Sequence, residues 1–344
     1  MAPALQACLL LLCASPGGDA LAESARYSFS QVHMGVEFGI QLYAPDQASA
    51  NLAAEQAFRR IEQLNGIFSD YDPDSELSQL SKTAGSGKTV PLSPELWDVL
   101  DRSQTLARRT SGAFDVTVGP YVRLWRRARK LKEMPSDRRL EEARKAIGFE
   151  YLRLDPNRRT VQLMAPDMRL DLGGIAKGYA ADAALAVLRA HGCPHALVDA
   201  GGDLALGDPP PGKQGWRIGI APLAPDVPPS RFLLLANSAV ATSGDAWQFV
   251  EIDGRRYSHI VDPRTGLGLA NRSSVTVIAP DCTTADSLAT AVSVLGAETG
   301  IRLAEVYAGA AVLVVEEVDG QPRVTRSRGF ATIETNHAAI EATQ

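Results

Sequence analysis

The chain has 344 residues, 45% of them hydrophobic, and a formal net charge of -5. That length and apolar share support one large globular domain or two modest ones, each with a buried core. A mildly acidic balance provides no cationic footprint for nucleic acid, and that partner class is excluded.

In chain order, residues 4–14 form an apolar run of about eleven residues, too short to span a bilayer. Ala20-Leu21-Ala22 supplies a small-residue cleavage pattern, so residues 1–22 read as a secretory signal peptide and export to the periplasm is expected. No Lys or Arg precedes the run, and bulky Leu12 stands before Cys13, which favours a cleaved signal over a lipid anchor at Cys13. Cleavage would leave Cys193 and Cys282, too few and too distant for a disulfide scaffold or a zinc site.

Residues 35–43 alternate as a strand, and residues 50–68 carry Phe58, Ile61, Leu64 and Phe68 at helical spacing. Ser93-Pro94 offers an N-cap and a first-turn proline for a helix running to Arg109 and closed by Gly112. The basic run 123–132 reads as a solvated helix face or loop after Trp125. Residues 152–154 and 160–164 make a hairpin around Pro156-Asn157; a helix over 175–190 stops at Gly192, and 195–198 is a short buried strand. Loops at 209–212 and 222–229 flank a strand at 216–220, and 249–259 form a hairpin turning at Asp253-Gly254. A strand at 274–278, a helix over 284–295 ended by Gly296 and a strand at 311–316 follow, before a polar, frayed tail at 334–344. This order lacks the regular alternation of a doubly wound fold. It predicts an α+β domain over 31–333 with a largely antiparallel sheet and packed helices.

Residues 170–179, Leu-Asp-Leu-Gly-Gly-Ile-Ala-Lys-Gly-Tyr, set an acid, glycines and a lysine at the mouth of an alanine-rich helix. Glycines there leave backbone N–H groups open to a phosphate, and the helix dipole favours negative charge. Lys177 adds a mobile cation, and Asp171 can accept a hydrogen bond or organise the turn. The same glycines would equally serve a tight strand-to-helix turn. Asp286 and Thr290, at i and i+4, share one helix face and together suit a hard cation such as Mg²⁺. They also fit an acid near the helix dipole plus a threonine bonding to the previous turn. His259 sits at a strand end, placed as a proton-transfer group. Tyr71 offers a stacking surface for a heteroaromatic ring, and Phe114, beside Ala113 and Asp115, packs either in the core or along a planar-ligand pocket. Residues 240–245, Val-Ala-Thr-Ser-Gly-Asp, read as a strand end rich in small hydroxyl residues, which forms a turn or touches phosphate oxygens.

Six blocks in this order resemble the ApbE family, the FAD:protein FMN transferases, from Met34 to Gly296. They are Met34-Gly35; Phe-Ser-Asp-Tyr-Asp-Pro (68–73) with Ser75-Glu76-Leu77; Gly-Ala-Phe-Asp-Val-Thr-Val-Gly-Pro (112–120); and Asp-Leu-Gly-Gly-Ile-Ala-Lys-Gly-Tyr (171–179). Ser-Gly-Asp (243–245) followed by Ser-His-Ile-Val-Asp-Pro-Arg-Thr-Gly (258–266) comes next, then Ser-Val-Thr-Val-Ile-Ala-Pro (274–280) with Ala-Asp-Ser-Leu-Ala-Thr (285–290). The resemblance implies a single tunnelling-fold-like, barrel-like domain binding FAD in an extended cleft. It further implies Mg²⁺ as cofactor, FAD as substrate, and transfer of FMN to a Ser or Thr hydroxyl of a target protein with release of AMP. The expected target carries a flavinylation motif in a membrane redox complex. By match to the family's motifs, Asp286 and Thr290 are side-chain Mg²⁺ ligands and Gly174 a backbone-carbonyl ligand. Met34, Tyr71, Ala113, Phe114, Asp115, Asp171, Lys177 and Ile260 match flavin-dinucleotide contacts, and His259 matches the proton acceptor. His259 and Asp286 are the expected catalytic residues. Val116 stands where proline is common. Arg126-Arg127 replaces the usual Gly-Phe after the tryptophan, a change expected to affect surface contacts only. The same residues would also serve a Mg²⁺-dependent FAD pyrophosphatase or a non-catalytic flavin-binding protein.

Overall fold

Strand β1 (Ala25–His33) turns through Met34 and Gly35 into β2 (Val36–Ala44), and both turn residues have positive φ, 49° and 77°. Such a two-residue turn matches the twist of the flanking strands. The computed structural model describes residues 24–341 except 221–222, 224–226, 230 and 245–247, with side chains described to residue 334. The expected signal segment with Cys8 and Cys13, Asp245, and part of the 222–229 loop lie outside the described residues. β1 starts ahead of residue 31, where the domain was expected to begin, and its Tyr27 and Phe29 pack against the main core.

α1 (Gln47–Phe68) is capped by Asp46, whose carboxylate accepts from the Ser49 N–H at 2.7 Å, and it buries the predicted stripe of Phe58, Ile61, Leu64 and Phe68. There follow α2 (Glu76–Ser81), β3 (Val90–Pro91), α3 (Pro94–Arg109), α4 (Gly119–Leu131), α5 (Asp137–Arg144), β4 (Leu152–Asp155), β5 (Thr160–Leu163) and α6 (Ala176–Ala190). Then come β6 (Ala196–Ala200), β7 (Leu204–Leu206), β8 (Trp216–Gly219), β9 (Phe232–Leu235), β10 (Ser238–Gly244), β11 (Phe249–Ile252) and β12 (Arg255–Ser258). The chain continues through β13 (Ser273–Ala279), α7 (Cys282–Leu295), α8 (Ala297–Ala304), β14 (Ala311–Val318), β15 (Gln321–Arg326) and α9 (Arg328–Glu341).

Eight strands form one sheet in the order β1-β2-β6-β7-β10-β13-β14-β15, every pairing antiparallel. The expected α+β class with antiparallel sheet holds. Among the described residues β1 and β15 are the two edges, so this sheet is open rather than closed into a barrel. Helices α1, α6 and α7 share the main core with Phe38, Ile40 and Leu42 of β2 and Val275 and Val277 of β13. Leu206, Val240, Ile278 and Leu313 point to the other face, against Trp216, Ile218, Leu233 and Phe330. Along β10, Ala239 and Ala241 join the first core and Val240 the second, the period of two that a strand between two apolar layers requires.

The tail expected to fray after Ile333 is instead helical to Glu341, and α9 is anchored at its start by fully buried Phe330. Its later residues lack an apolar stripe, so periodicity did not reveal them. The basic run 123–132 lies in α4, whose Tyr121, Trp125 and Ala128 pack against Val250, Ile252 and Tyr257 of the β11–β12 hairpin. Cys193 and Cys282 are both buried free thiols.

Strand register gathers the pieces of the site at one end of the large sheet. Phe38 pairs with Ala200, Leu204 with Val240, and Gly244 with Ser274. The Met34-Gly35 turn, the β6–β7 turn at Gly201-Gly202-Asp203 and the end of β10 therefore lie together.

Candidate active site

α6 and α7 approach each other where α6 begins. A Cβ on Gly178 would lie 2.3 Å from the Cys282 carbonyl oxygen and 2.9 Å from Asp286 Cβ. A Cβ on Gly174 would lie 2.9 Å from Thr290 Oγ1. Gly174 and Gly178 are absent from the positive-φ residues, so close approach is what requires glycine here, not an unusual backbone angle. The fold thereby brings Gly174 to Thr290 and Gly178 to Asp286, uniting the expected metal set. It also corrects the expected use of the N–H groups. The Gly178 N–H donates to Asp286 Oδ2 at 3.1 Å and the Gly173 N–H to Asp171 Oδ1 at 2.9 Å, so neither is held open for a phosphate.

Asp182, on α6, fixes this arrangement. Its carboxylate accepts from the N–H groups of Cys282 and Thr283 at 2.8 Å each and from Thr283 Oγ1 at 2.6 Å. Asp281, the N-cap of α7, accepts from the Thr284 N–H at 2.9 Å. Two carboxylates thus serve the amide-rich start of α7, one of them across the helix interface, and set which turn of α7 faces Gly174.

The charges around Asp286 are tightly balanced. The side chain is 5% exposed, and burial above all, with Asp203 and Asp182 adding, pushes its carboxyl up to about 7 against the opposing pull of Lys177 and the Gly178 N–H. Burial alone would lower the pKa of Lys177, but Asp286 and Asp203 reverse that and hold it above its ordinary value. The Lys177 ammonium is ion-paired with Asp203 Oδ2. The expectation of a mobile cation at Lys177 therefore gives way to a fixed one, because buried carboxylates need a partner. Asp203 was not singled out from sequence. Its one local sign is the Gly201-Gly202 turn before it, with φ of 67° and 101°.

The donor set that the family's motifs imply is all oxygen: the Asp286 carboxylate, the Thr290 hydroxyl and the Gly174 carbonyl. Among the described residues no three His, Cys, Asp or Glu side chains gather as a metal cluster. A cation here would complete its shell with backbone oxygen and water, the habit of Mg²⁺ rather than Zn²⁺. A buried carboxylate with incomplete compensation is also what a divalent ion would neutralise. The residues fit Mg²⁺.

The expected flavin contacts divide into two groups. On the open side, Tyr71 is 75% exposed, and its ring centroid lies 4.1 Å from the Arg126 guanidinium carbon. Arg126 forms an ion pair with Asp70 and donates from Nη2 to Asp171 Oδ2 at 2.9 Å. Burial and then Asp70 push the Asp171 carboxyl up, and Arg126 opposes them. A cavity of about 400 Å³ is lined by Asp70, Tyr71, Arg123, Arg126 and Arg169. The expectation that Arg126-Arg127 alters surface contacts only is corrected for Arg126, which faces the cavity; Arg127 is exposed. Met34 sits at the tip of the β1–β2 turn, half-buried against the main core.

The second group is buried. Phe114 lies in the main core, and Ala113 clusters with Ile260 and Val294. Asp115 accepts from the Thr117 N–H and Oγ1, each at 2.8 Å. Val116 offers its carbonyl to the Asp171 N–H at 2.8 Å, a role proline would fill equally, which accounts for the departure at this position. His259 follows β12 directly. Its N–H donates to the Gln248 carbonyl at 3.0 Å, and Nδ1 lies 3.1 Å from the same oxygen. A neutral ring donating from Nδ1 has Nε2 as its acceptor nitrogen. Ile260 packs on Val294, one turn beyond Thr290, and so ties the His259 segment to α7. Residues 240–244 end strand β10, as the strand-end reading expected, with Thr242 Oγ1 3.2 Å from Thr276 Oγ1 on β13.

Asp115 gives the folded protein a specific pH response. Burial pushes its carboxyl up to about 6 despite the Thr117 hydrogen bonds. An unfolded aspartate titrates near about 4. The folded state therefore keeps an extra proton between those values, and stability is highest below the window and falls as pH rises through it. Asp115→Asn keeps an acceptor for Thr117 and removes the titration. From pH 4 to pH 7 its unfolding free energy should shift in its favour, relative to the native chain, by up to about 3 kcal/mol. Parallel urea-unfolding profiles for the two proteins would contradict this.

The ApbE family model matches residues 34–314. The chain is 34% identical over 300 residues to the FAD:protein FMN transferase of Vibrio cholerae, covering 84% of this chain and 89% of that protein. It is 33% identical over 324 residues to the FAD:protein FMN transferase of Treponema pallidum, covering 90% and 89%. The solved flavin transferase ApbE from Vibrio cholerae superposes with a TM-score of 0.81 at 32% identity, over 90% of this chain and 99% of that one. The matched region runs from the β1–β2 turn into β14 and takes in the glycine turn, the cavity, the His259 segment and α7. The chain belongs to the ApbE family.

Proposed function

We propose that this protein is a Mg²⁺-dependent FAD:protein FMN transferase, moving FMN from FAD to a Ser or Thr hydroxyl of a target protein and releasing AMP. The observation that supports the reading is the meeting of Gly174 with Thr290 and of Gly178 with Asp286, oxygen donors that would suit a cation, together with an aromatic, arginine-lined cavity whose Arg126 binds Asp171 of the same turn. Relatives bearing that activity in their names support it.

Asp286, Thr290 and the Gly174 carbonyl would hold the cation. Bound there, it supplies charge neutralisation on the pyrophosphate of FAD. Tyr71 presents a ring for stacking, and Met34, Ala113, Phe114, Asp115, Asp171 and Ile260 border the dinucleotide. Lys177, paired with Asp203, keeps a cation next to the pyrophosphate site. His259, with Nδ1 tied to the Gln248 carbonyl, takes the proton of the attacking hydroxyl on Nε2. The hydroxyl oxygen bonds to the FMN phosphorus, the P–O–P link breaks, and AMP leaves with the electron pair.

The acceptor we propose is a periplasm-facing subunit of a membrane redox complex carrying a Ser/Thr flavinylation motif, in keeping with the apolar leader and cleavage pattern at residues 4–22. Incubation of the mature protein with FAD, Mg²⁺ and such an acceptor domain should add one FMN to the acceptor, read as an intact-mass shift. Free FMN and AMP formed at the same rate with or without acceptor would replace this reading with FAD pyrophosphatase activity.

A further inference from the structure

The fold turns the Arg126 side chain of α4 toward the cavity. Nη2 donates to Asp171 Oδ2 at 2.9 Å and to Asp70 Oδ1 at 3.2 Å, while Nη1 binds the second Asp70 oxygen. The guanidinium carbon stands 4.1 Å from the centroid of Tyr71. One side chain thus joins three segments that are remote in sequence: the loop after α1, helix α4, and the turn leading into Gly173 and Gly174. All three border one cavity, where Asp70, Tyr71 and Arg126 form part of the wall.

We propose that Arg126 is a positioning residue for FAD. It backs one face of Tyr71 and clamps Asp70 to Asp171, which fixes the distance between the stacking ring and the glycine turn that leads to the cation site. An extended dinucleotide bridging those two points binds without first having to order them. The inference rests on the FAD reading given above.

The chemistry suits arginine specifically. A planar fork serves two carboxylates and stacks on an aromatic ring at the same time, whereas an ammonium is a point charge that cannot hold all three partners. Without the guanidinium, Asp70 and Asp171 face one another with no cation between them, and the turn preceding Gly173 loses its side-chain tie to α4 while its backbone contacts at Val116 and Val118 remain. The predicted defect is in FAD binding, because Arg126 touches none of the residues assigned to hold the cation or take the proton.

The test uses the mature full-length protein as native chain, Arg126→Ala and Arg126→Lys. FAD affinity is measured by flavin fluorescence quenching in EDTA, and KM and kcat by FMN transfer with Mg²⁺. Arg126→Ala should raise both the FAD Kd and KM by about tenfold or more, with kcat within about threefold. Arg126→Lys should recover the melting temperature but not the KM. Kd and KM within about twofold of native in both variants would overturn the proposal, as would a fall in kcat at unchanged KM. Full recovery of KM by lysine would also overturn it, since charge alone would then suffice. If the Ala variant does not fold, the Lys variant decides. A native protein that binds FAD but transfers no FMN defeats the transferase reading while the Kd series still judges Arg126. A native protein that binds no FAD defeats both.

Discussion

Asp286→Asn should lower FMN transfer by about a thousandfold or more, because a metal that stabilises transition-state charge is worth several kcal/mol. The same substitution should leave the fold intact. Asn can still accept from the Gly178 N–H, which donates to Asp286 at 3.1 Å, and it suits a site that already pushes the carboxyl up to about 7. The metal-free variant should melt no lower than the native protein, since a buried charge has been replaced by a neutral acceptor. Lys177 keeps its partner in Asp203, so no cation is stranded. Circular dichroism melting and a transfer assay at saturating Mg²⁺ separate the two effects. Unchanged turnover would mean that Asp286 holds no metal.

Gly178→Ala is expected to be severe for a different reason. The added methyl would sit 2.3 Å from the Cys282 carbonyl oxygen, and that oxygen belongs to backbone in the first turn of α7. No rotamer relieves the clash, so the helices must separate. A destabilisation of about 3 kcal/mol is expected. This reverses the usual preference for alanine over glycine inside a helix, which is worth about 1 kcal/mol. Gly66, in α1, has nothing within 4 Å of the place a methyl would take and provides the control: Gly66→Ala should be neutral or slightly stabilising. Activity should fall along with stability in Gly178→Ala, because the same helix approach sets Gly174 against Thr290. A variant as stable and active as native would show that α6 and α7 do not depend on this contact.

The reactive elements are legible in the sequence where they repeat a local pattern. Asp286 and Thr290 share a helix face by spacing alone, and glycines at the start of α6 announce a close approach before its partner is known. The β11–β12 turn at Asp253-Gly254 is readable because both residues take positive φ, 51° and 72°, as the local pattern requires. What stays hidden are partners brought in by tertiary packing. Asp203 lies beyond a β-turn from the strand that carries it, yet it neutralises Lys177 on another element. Asp182 looks like one more helical acid until α7 is set against it. Arg126 reads as solvated because its neighbours Arg127 and Lys130 are; one turn of α4 separates cavity from solvent. The glycine N–H groups illustrate the converse. Local chemistry offers them to a phosphate, and the folded chain uses two of them on its own carboxylates.

The central claim is that FMN leaves FAD for a protein hydroxyl at the α6–α7 site, and stoichiometry tests it most directly. With FAD, Mg²⁺ and an acceptor domain present, AMP and covalently bound FMN should accumulate together, one AMP for each FMN attached to a Ser or Thr of the acceptor. AMP released while all FMN stays free in solution, or no AMP released at all, would contradict it.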